Sequence, residues 1–139
     1  MFICTSLFAQ KGTKEVGVIQ NHKIILTFDK TRILKVYNAN LLKLSSIDAK
    51  FENVEIIDLN GGNYILLFSG KIWKSSFAIK KVGNNLIAMA KTSCSTSDCA
   101  SERLGCVVKY APGDEIGYCT ACSNEGKCTK TSSSDSLLE

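Results

Sequence analysis

Six cysteines fall within a 35-residue window, spaced Cys94-x4-Cys99-x6-Cys106-x12-Cys119-x2-Cys122-x5-Cys128. Residues 92–139 hold only 6 Leu, Ile, Val or Phe among 48, against 29 among 81 in residues 11–91. A segment this poor in apolar side chains cannot bury enough surface to fold alone, so cross-links or a metal must hold it. Three disulfides would each restrict the unfolded ensemble by ~2–4 kcal/mol. Six cysteines allow 15 pairings, and spacing does not choose among them. The expected framework is therefore Cys94, Cys99, Cys106, Cys119, Cys122 and Cys128, paired in an order the sequence leaves open.

Zinc is the competing solution. Cys119-x2-Cys122 has knuckle-like spacing and Cys94-x4-Cys99 is a tolerable second pair, giving Cys94, Cys99, Cys119 and Cys122 as alternative ligands. That reading suits a reducing cytosol and leaves Cys106 and Cys128 over. A redox role for Cys119-x2-Cys122 fits poorly. Such a motif opens a helix in a βαβ setting, whereas Gly117-Tyr118-Cys119-Thr120-Ala121-Cys122 reads as polar coil.

The charge divides at the same place. Residues 11–91 carry 13 Lys or Arg against 6 Asp or Glu, and residues 92–139 carry 4 against 7. A boundary is expected near residues 90–93. Residues 1–10, MFICTSLFAQ, form an apolar, uncharged stretch with a small residue near its end, as at the close of a signal peptide. They read as a signal-peptide remnant, although the apolar region is short and no basic residue precedes it. The seventh cysteine, Cys4, lies in this stretch. Its alternative fate is a buried free thiol in a retained strand.

Residues 11–91 read as an antiparallel meander, sandwich or barrel-like. Ile24, Leu26 and Phe28 alternate with Lys23, Ile25 and Thr27. A break at Asp29-Lys30-Thr31-Arg32 follows, and the apolar pattern resumes over residues 33–37. Asn60-Gly61 between two apolar runs is a strong hairpin signal, because both residues tolerate positive φ. Gly83-Asn84 marks another turn, and His22 follows Asn21 at a third. Residues 39–50 are the exception. Leu41, Leu44 and Asp48 sit at helical spacing, with Asn38 or Asn40 as N-cap, and helix and strand are equally favoured there.

Trp73, Phe77 and Tyr64 could form an aromatic binding face, but core positions for Phe77 and Tyr64 and a sheet edge for Trp73 are the plainer reading. Lys71, Lys74, Lys80 and Lys81 are too dispersed for a polyanion site and suit a solvated face or guarded sheet edge. No nucleic-acid partner is expected. A lone histidine, His22, excludes sites that need two, including HExxH zincins and Cys2His2 fingers. Walker, GxGxxG and GxSxG motifs are absent. No apolar run nears the ~20 residues that span a bilayer as a helix. Asp114 and Glu115 lie in a Pro112-Gly113 turn and have no evident catalytic partner. With Tyr110 they make the insert between Cys106 and Cys119 a candidate binding loop. The Ser-rich residues 131–139 read as a flexible tail, after a Cys-rich module over 92–130.

The run Asn63-Tyr64-Ile65-Leu66-Leu67-Phe68-Ser69-Gly70-Lys71, then Ser75-Ser76-Phe77-Ala78-Ile79, Asn85-Leu86-Ile87-Ala88 and Gly126-Lys127-Cys128-Thr129-Lys130, resembles small uncharacterised secreted Cys-rich proteins of Bacteroidota. Phe8-Ala9-Gln10 is similar to their export signals. The resemblance implies export and a β-rich body with a Cys-rich end, and brings no activity or catalytic residues. The expectation is a non-catalytic binding or assembly protein, secreted, periplasmic or at the cell surface, with a protein partner and no cofactor. A disulfide-rich enzyme inhibitor or toxin-like effector is the alternative, and a cytosolic zinc-binding domain the second.

Overall fold

The computed structural model describes residues 12–139. Residues 1–10, read as a signal-peptide remnant with Cys4, lie outside the described residues. Strand β1 (Thr13–Gln20) pairs antiparallel with β2 (Lys23–Leu26), Gln20 opposite Lys23. Asn21 and His22 turn between them with φ of 52° and 65°. Two positive φ values match the turn to the strands' twist, and Asn adopts them readily. Across the barrel, Gly17 of β1 faces Ile56. A Cβ at Gly17 would meet Ile56 Cδ1 at 2.9 Å and Ile25 O at 3.1 Å, so only glycine permits this approach.

The apolar run over residues 33–37 is helix, not strand. Helix α1 (Lys30–Ser45) starts at Asp29, whose extended backbone and side-chain oxygen cap the first turn by accepting from Arg32 N at 3.2 Å. Ile33, Tyr37 and Leu41, four residues apart, form its buried stripe. Ser46 ends it in the left-handed region, donating to Leu42 O at 3.0 Å. The expected cap at Asn38 or Asn40 is thus replaced by Asp29. Asn38 instead ties the helix to Phe51, donating to its carbonyl at 3.1 Å and accepting its N–H at 2.8 Å.

Strands β3 (Asn53–Asp58) and β4 (Tyr64–Ser69) flank the loop through Asn60, Gly61 and Gly62, all with positive φ. Strands β5 (Lys74–Val82) and β6 (Asn85–Met89) share the two-residue turn Gly83-Asn84. Then follow β7 (Thr92–Thr96), the short β8 (Val108–Lys109) and β9 (Tyr118–Cys119), and β10 (Thr129–Ser132). Strand β5 is the hub. It pairs with β4 on one edge, and on the other with β6 through Ile79–Val82 and with β7 through Lys74–Ser76. The sheet runs β10-β7-β5-β6-β1-β2, with β4 and then β3 extending from β5. It is antiparallel throughout and curls into a nearly closed barrel, with β8 and β9 forming a separate ribbon.

Val16, Leu66, Phe68, Phe77, Leu86 and Ala88 of the sheet meet Tyr37, Leu41 and Phe51 in the core. The ring of Tyr37 lies 4.6 Å from that of Phe68 and 4.9 Å from that of Phe77, in the tilted and edge-on geometries aromatic pairs favour. Phe77 takes the core role expected of it, while Tyr64 and Trp73 are only partly buried against the same cluster.

The tail is not a loose end. Strand β10 pairs with β7, Leu137 and Leu138 are 1% and 2% exposed within the core, and Leu137 N donates to Ala90 O at 2.8 Å. Asn40 Nδ2 reaches back from α1 to Leu137 O at 2.9 Å. The serines that suggested mobility lie between anchored positions. The boundary expected near residues 90–93 is likewise bridged, because β7 and β10 join the same sheet as β5.

Beneath α1, Tyr37 Oη donates to Ser93 Oγ at 2.7 Å and hydrogen-bonds Ser75 Oγ, which in turn bonds Ser95 Oγ at 2.8 Å. Burial raises the Tyr37 pKa from its ordinary 10.0, the serine bonds opposing in part. Tyr37→Phe leaves these buried hydroxyls short of a partner and is expected to cost about 1–3 kcal/mol. The sign with pH follows from the raised value. The phenol's contribution is complete below about pH 10 and is lost as pH rises through the higher folded pKa. Denaturant titrations above pH 10 should show the parent losing stability faster than Tyr37→Phe. Parallel slopes would contradict a buried phenol.

Candidate binding surface

Strand β7 reads Thr92-Ser93-Cys94-Ser95-Thr96, and all five residues are buried. Alternation divides them between two faces. Ser93 and Ser95 point to the helix side and join the Tyr37 network. Thr92, Cys94 and Thr96 point outward, where residues 97–128 cover them. Thr96 Oγ1 donates to Lys127 O at 2.8 Å and accepts from the N–H groups of Asp98 and Cys99. Thr92 Oγ1 accepts from Gly117 N at 3.3 Å. A strand without a large aliphatic is thus buried on both sides because its hydroxyls are partnered. Among the described residues no buried side-chain nitrogen or oxygen lacks a partner.

The covering segment is fastened by Cys94–Cys119, Cys99–Cys122 and Cys106–Cys128, separated by 25, 23 and 22 residues. Each of the first three cysteines pairs with the third one after it, so the three closed loops overlap. Cys94, Cys99, Cys106, Cys122 and Val108 form a second buried cluster that rests against Ala78 of β5. Lys74 of β5 donates from Nζ to the carbonyls of Glu102 and Arg103, which ties the segment to the sheet again. The disulfide framework read from the sequence is present. Of the alternative zinc quartet Cys94, Cys99, Cys119 and Cys122, Cys94 and Cys119 are bridged to each other and their sulfurs stand apart from the group that holds Cys99 and Cys122. The sulfurs that do converge are those of Cys99, Cys106, Cys122 and Cys128.

Both ends of the insert between Cys106 and Cys119 are therefore pinned. Val108 pairs with Cys119 and Lys109 with Tyr118, while Val107 N donates to Thr120 Oγ1 at 3.0 Å. At the tip, Asp114 N donates to Ala111 O at 3.0 Å around Pro112 and Gly113. Gly113 has φ +84°, as a type II turn requires at its third position. Asp114 and Glu115 are thereby held in solvent, beside Ile116 and Tyr118, which are 55% and 52% exposed.

Tyr110, Asp114 and Glu115, the three candidate loop residues, line one cleft of about 200 Å³ together with Gly12, Met89 and Lys91. The cleft offers carboxylates, an ammonium and a thioether side by side. Tyr110 also lines a larger groove of about 380 Å³, shared with Tyr64, Ile79, Val107 and Lys109. Burial raises the Tyr110 pKa, opposed by its hydrogen bond to Thr92. Nothing in the sequence marked Met89 and Lys91 as companions of the loop. They reach it through the turn from β6 to β7, a placement only the sheet order reveals. Lys80 and Lys81 are exposed, as expected of a solvated face.

No family model matches the chain, and no curated protein or solved structure matches it. Fold and surface define a class by themselves: a nearly closed antiparallel β-barrel with one helix against its core and a three-disulfide segment capping its outer face. Among the described residues no helix is long and apolar enough to cross a membrane. The three bridges fit an environment outside the reducing cytosol.

Proposed function

We propose that the protein is an exported, non-catalytic binding protein of the cell envelope or extracellular space, whose partner is a protein engaged by the loop of residues 110–118. The observation that carries this reading is the loop's restraint. Disulfides hold both its flanks, and it presents exposed Ile116 and Tyr118 beside the cleft of Tyr110, Asp114, Glu115 and Lys91. A pre-ordered loop loses little conformational freedom on binding, and exposed aromatics are efficient anchors. Export is supported by the three bridges. The same restrained loop supports the enzyme-inhibitor reading, in which the partner is a hydrolase.

The test is retention of envelope and extracellular proteins on the immobilised oxidised chain at micromolar concentration, compared with a Tyr118→Ala, Ile116→Ser variant. A partner held by the parent and released by the variant is expected. A parent that holds nothing the variant does not also hold would refute the reading. Hydrolase assays with each captured partner then decide between scaffold and inhibitor.

A further inference from the structure

Two of the three bridges lie against each other. Sγ of Cys106 is 3.9 Å from that of Cys99 and 3.6 Å from that of Cys122, and Sγ of Cys122 is 3.7 Å from that of Cys128. All four sulfurs fall within 4.8 Å of one another. Four thiolates around zinc, each bonded at about 2.3 Å, stand roughly 3.8 Å apart along the edges of a tetrahedron. Three of the six edges already have that length. Two others are the covalent bonds Cys99–Cys122 and Cys106–Cys128, whose Cα atoms lie 5.9 and 6.2 Å apart. Opening those bonds asks the side chains to spread while the backbone stays near its place.

We propose that, once reduced, Cys99, Cys106, Cys122 and Cys128 form a tetrathiolate site for zinc. Two equivalents of a dithiol deliver four electrons and four protons to the two disulfides, and each dithiol leaves as its own disulfide. The four protein thiols then bind one Zn²⁺ and release four protons. The surroundings suit the ion. Cys99, Cys106 and Cys122 are buried and exclude competing water, whereas Cys128 is half-buried and marks the side of entry. Thr96 Oγ1, 3.6 Å from Cys99 Sγ and 3.7 Å from Cys122 Sγ, flanks the sulfurs and fixes the chain around them. The Cys94–Cys119 pair is outside the set. Zinc would thus replace two cross-links with one four-way link, so that residues 99–128 stay cross-linked when those two disulfides are open. The inference does not rest on the proposed binding role.

The test uses the full chain, oxidised and phosphine-reduced, titrated anaerobically with Co²⁺ alone and then with Zn²⁺, with native mass spectrometry for stoichiometry. The reduced chain is expected to take one metal per molecule and show the visible bands of tetrahedral cobalt–thiolate, which zinc abolishes. The oxidised chain should take none. Cys106→Ser combined with Cys128→Ser should lose the bands, and Cys94→Ser combined with Cys119→Ser should keep them. A reduced parent chain that takes no cobalt overturns the proposal, whether or not circular dichroism shows it folded. So does the reverse order of the two double variants.

Discussion

Replacing Leu137 and Leu138 together by alanine is expected to destabilise the protein by about 4–6 kcal/mol. Both side chains belong to the main core and are almost fully buried. A buried Leu→Ala change costs about 2–5 kcal/mol through lost transfer energy and the cavity left behind. The two residues are neighbours, so their effects will not simply add. The loss would also release Leu137 N from Ala90 O and its carbonyl from Asn40. Urea denaturation of parent and variant measures this directly. A change below about 1 kcal/mol would mean that the tail is not seated in the core.

Replacing Cys94 and Cys119 together by alanine is expected to cost about 3–4 kcal/mol. That is the loop-closure value for a bridge spanning 25 residues. Cys94 sits on β7, within the sheet, and Cys119 on β9, at the base of the candidate loop. Their bond is the one that fastens the loop's ribbon straight to the barrel. The melting temperature should fall by roughly 10 °C, and proteolysis should begin within residues 107–118 before the barrel yields. An unchanged melting temperature together with an unchanged cleavage pattern would contradict the role assigned to this bridge.

The β-rich class and the turns were legible in the sequence because turn chemistry is local. Asn21-His22, Asn60-Gly61 and Gly83-Asn84 turn the chain where turns were expected, with positive φ at Asn21, His22, Asn60, Gly61 and Gly83. The second half of helix α1 was legible in the helical spacing of Leu41 and Leu44, but its first half was hidden because Ile33, Leu34, Val36 and Tyr37 look like a strand and Asp29 reads equally well as a turn residue. Only the sheet it packs against shows that a stripe at Ile33, Tyr37 and Leu41 is wanted. Strand β7 was illegible for a different reason. Serine and threonine are buried only when partners arrive on both faces, and those come from Tyr37 on one side and from residues near Lys127 and Gly117 on the other. The cysteines declared a framework but not its pairing, which depends on how β9 and residues 122–128 fold back over β7. The candidate loop residues Tyr110, Asp114 and Glu115 line one cleft, whose other side, Met89 and Lys91, had no signal in the sequence.

Three overlapping disulfides clamp residues 97–128 to the barrel and hold the loop in place. Proteolysis of the native, alkylated and unreduced chain, read by mass spectrometry, tests it most directly. Cross-linked peptides joining Cys94 to Cys119, Cys99 to Cys122 and Cys106 to Cys128 are expected, with no alkylation at any of the six. Alkylated thiols among them, or a bridge such as Cys94 to Cys99, would contradict it.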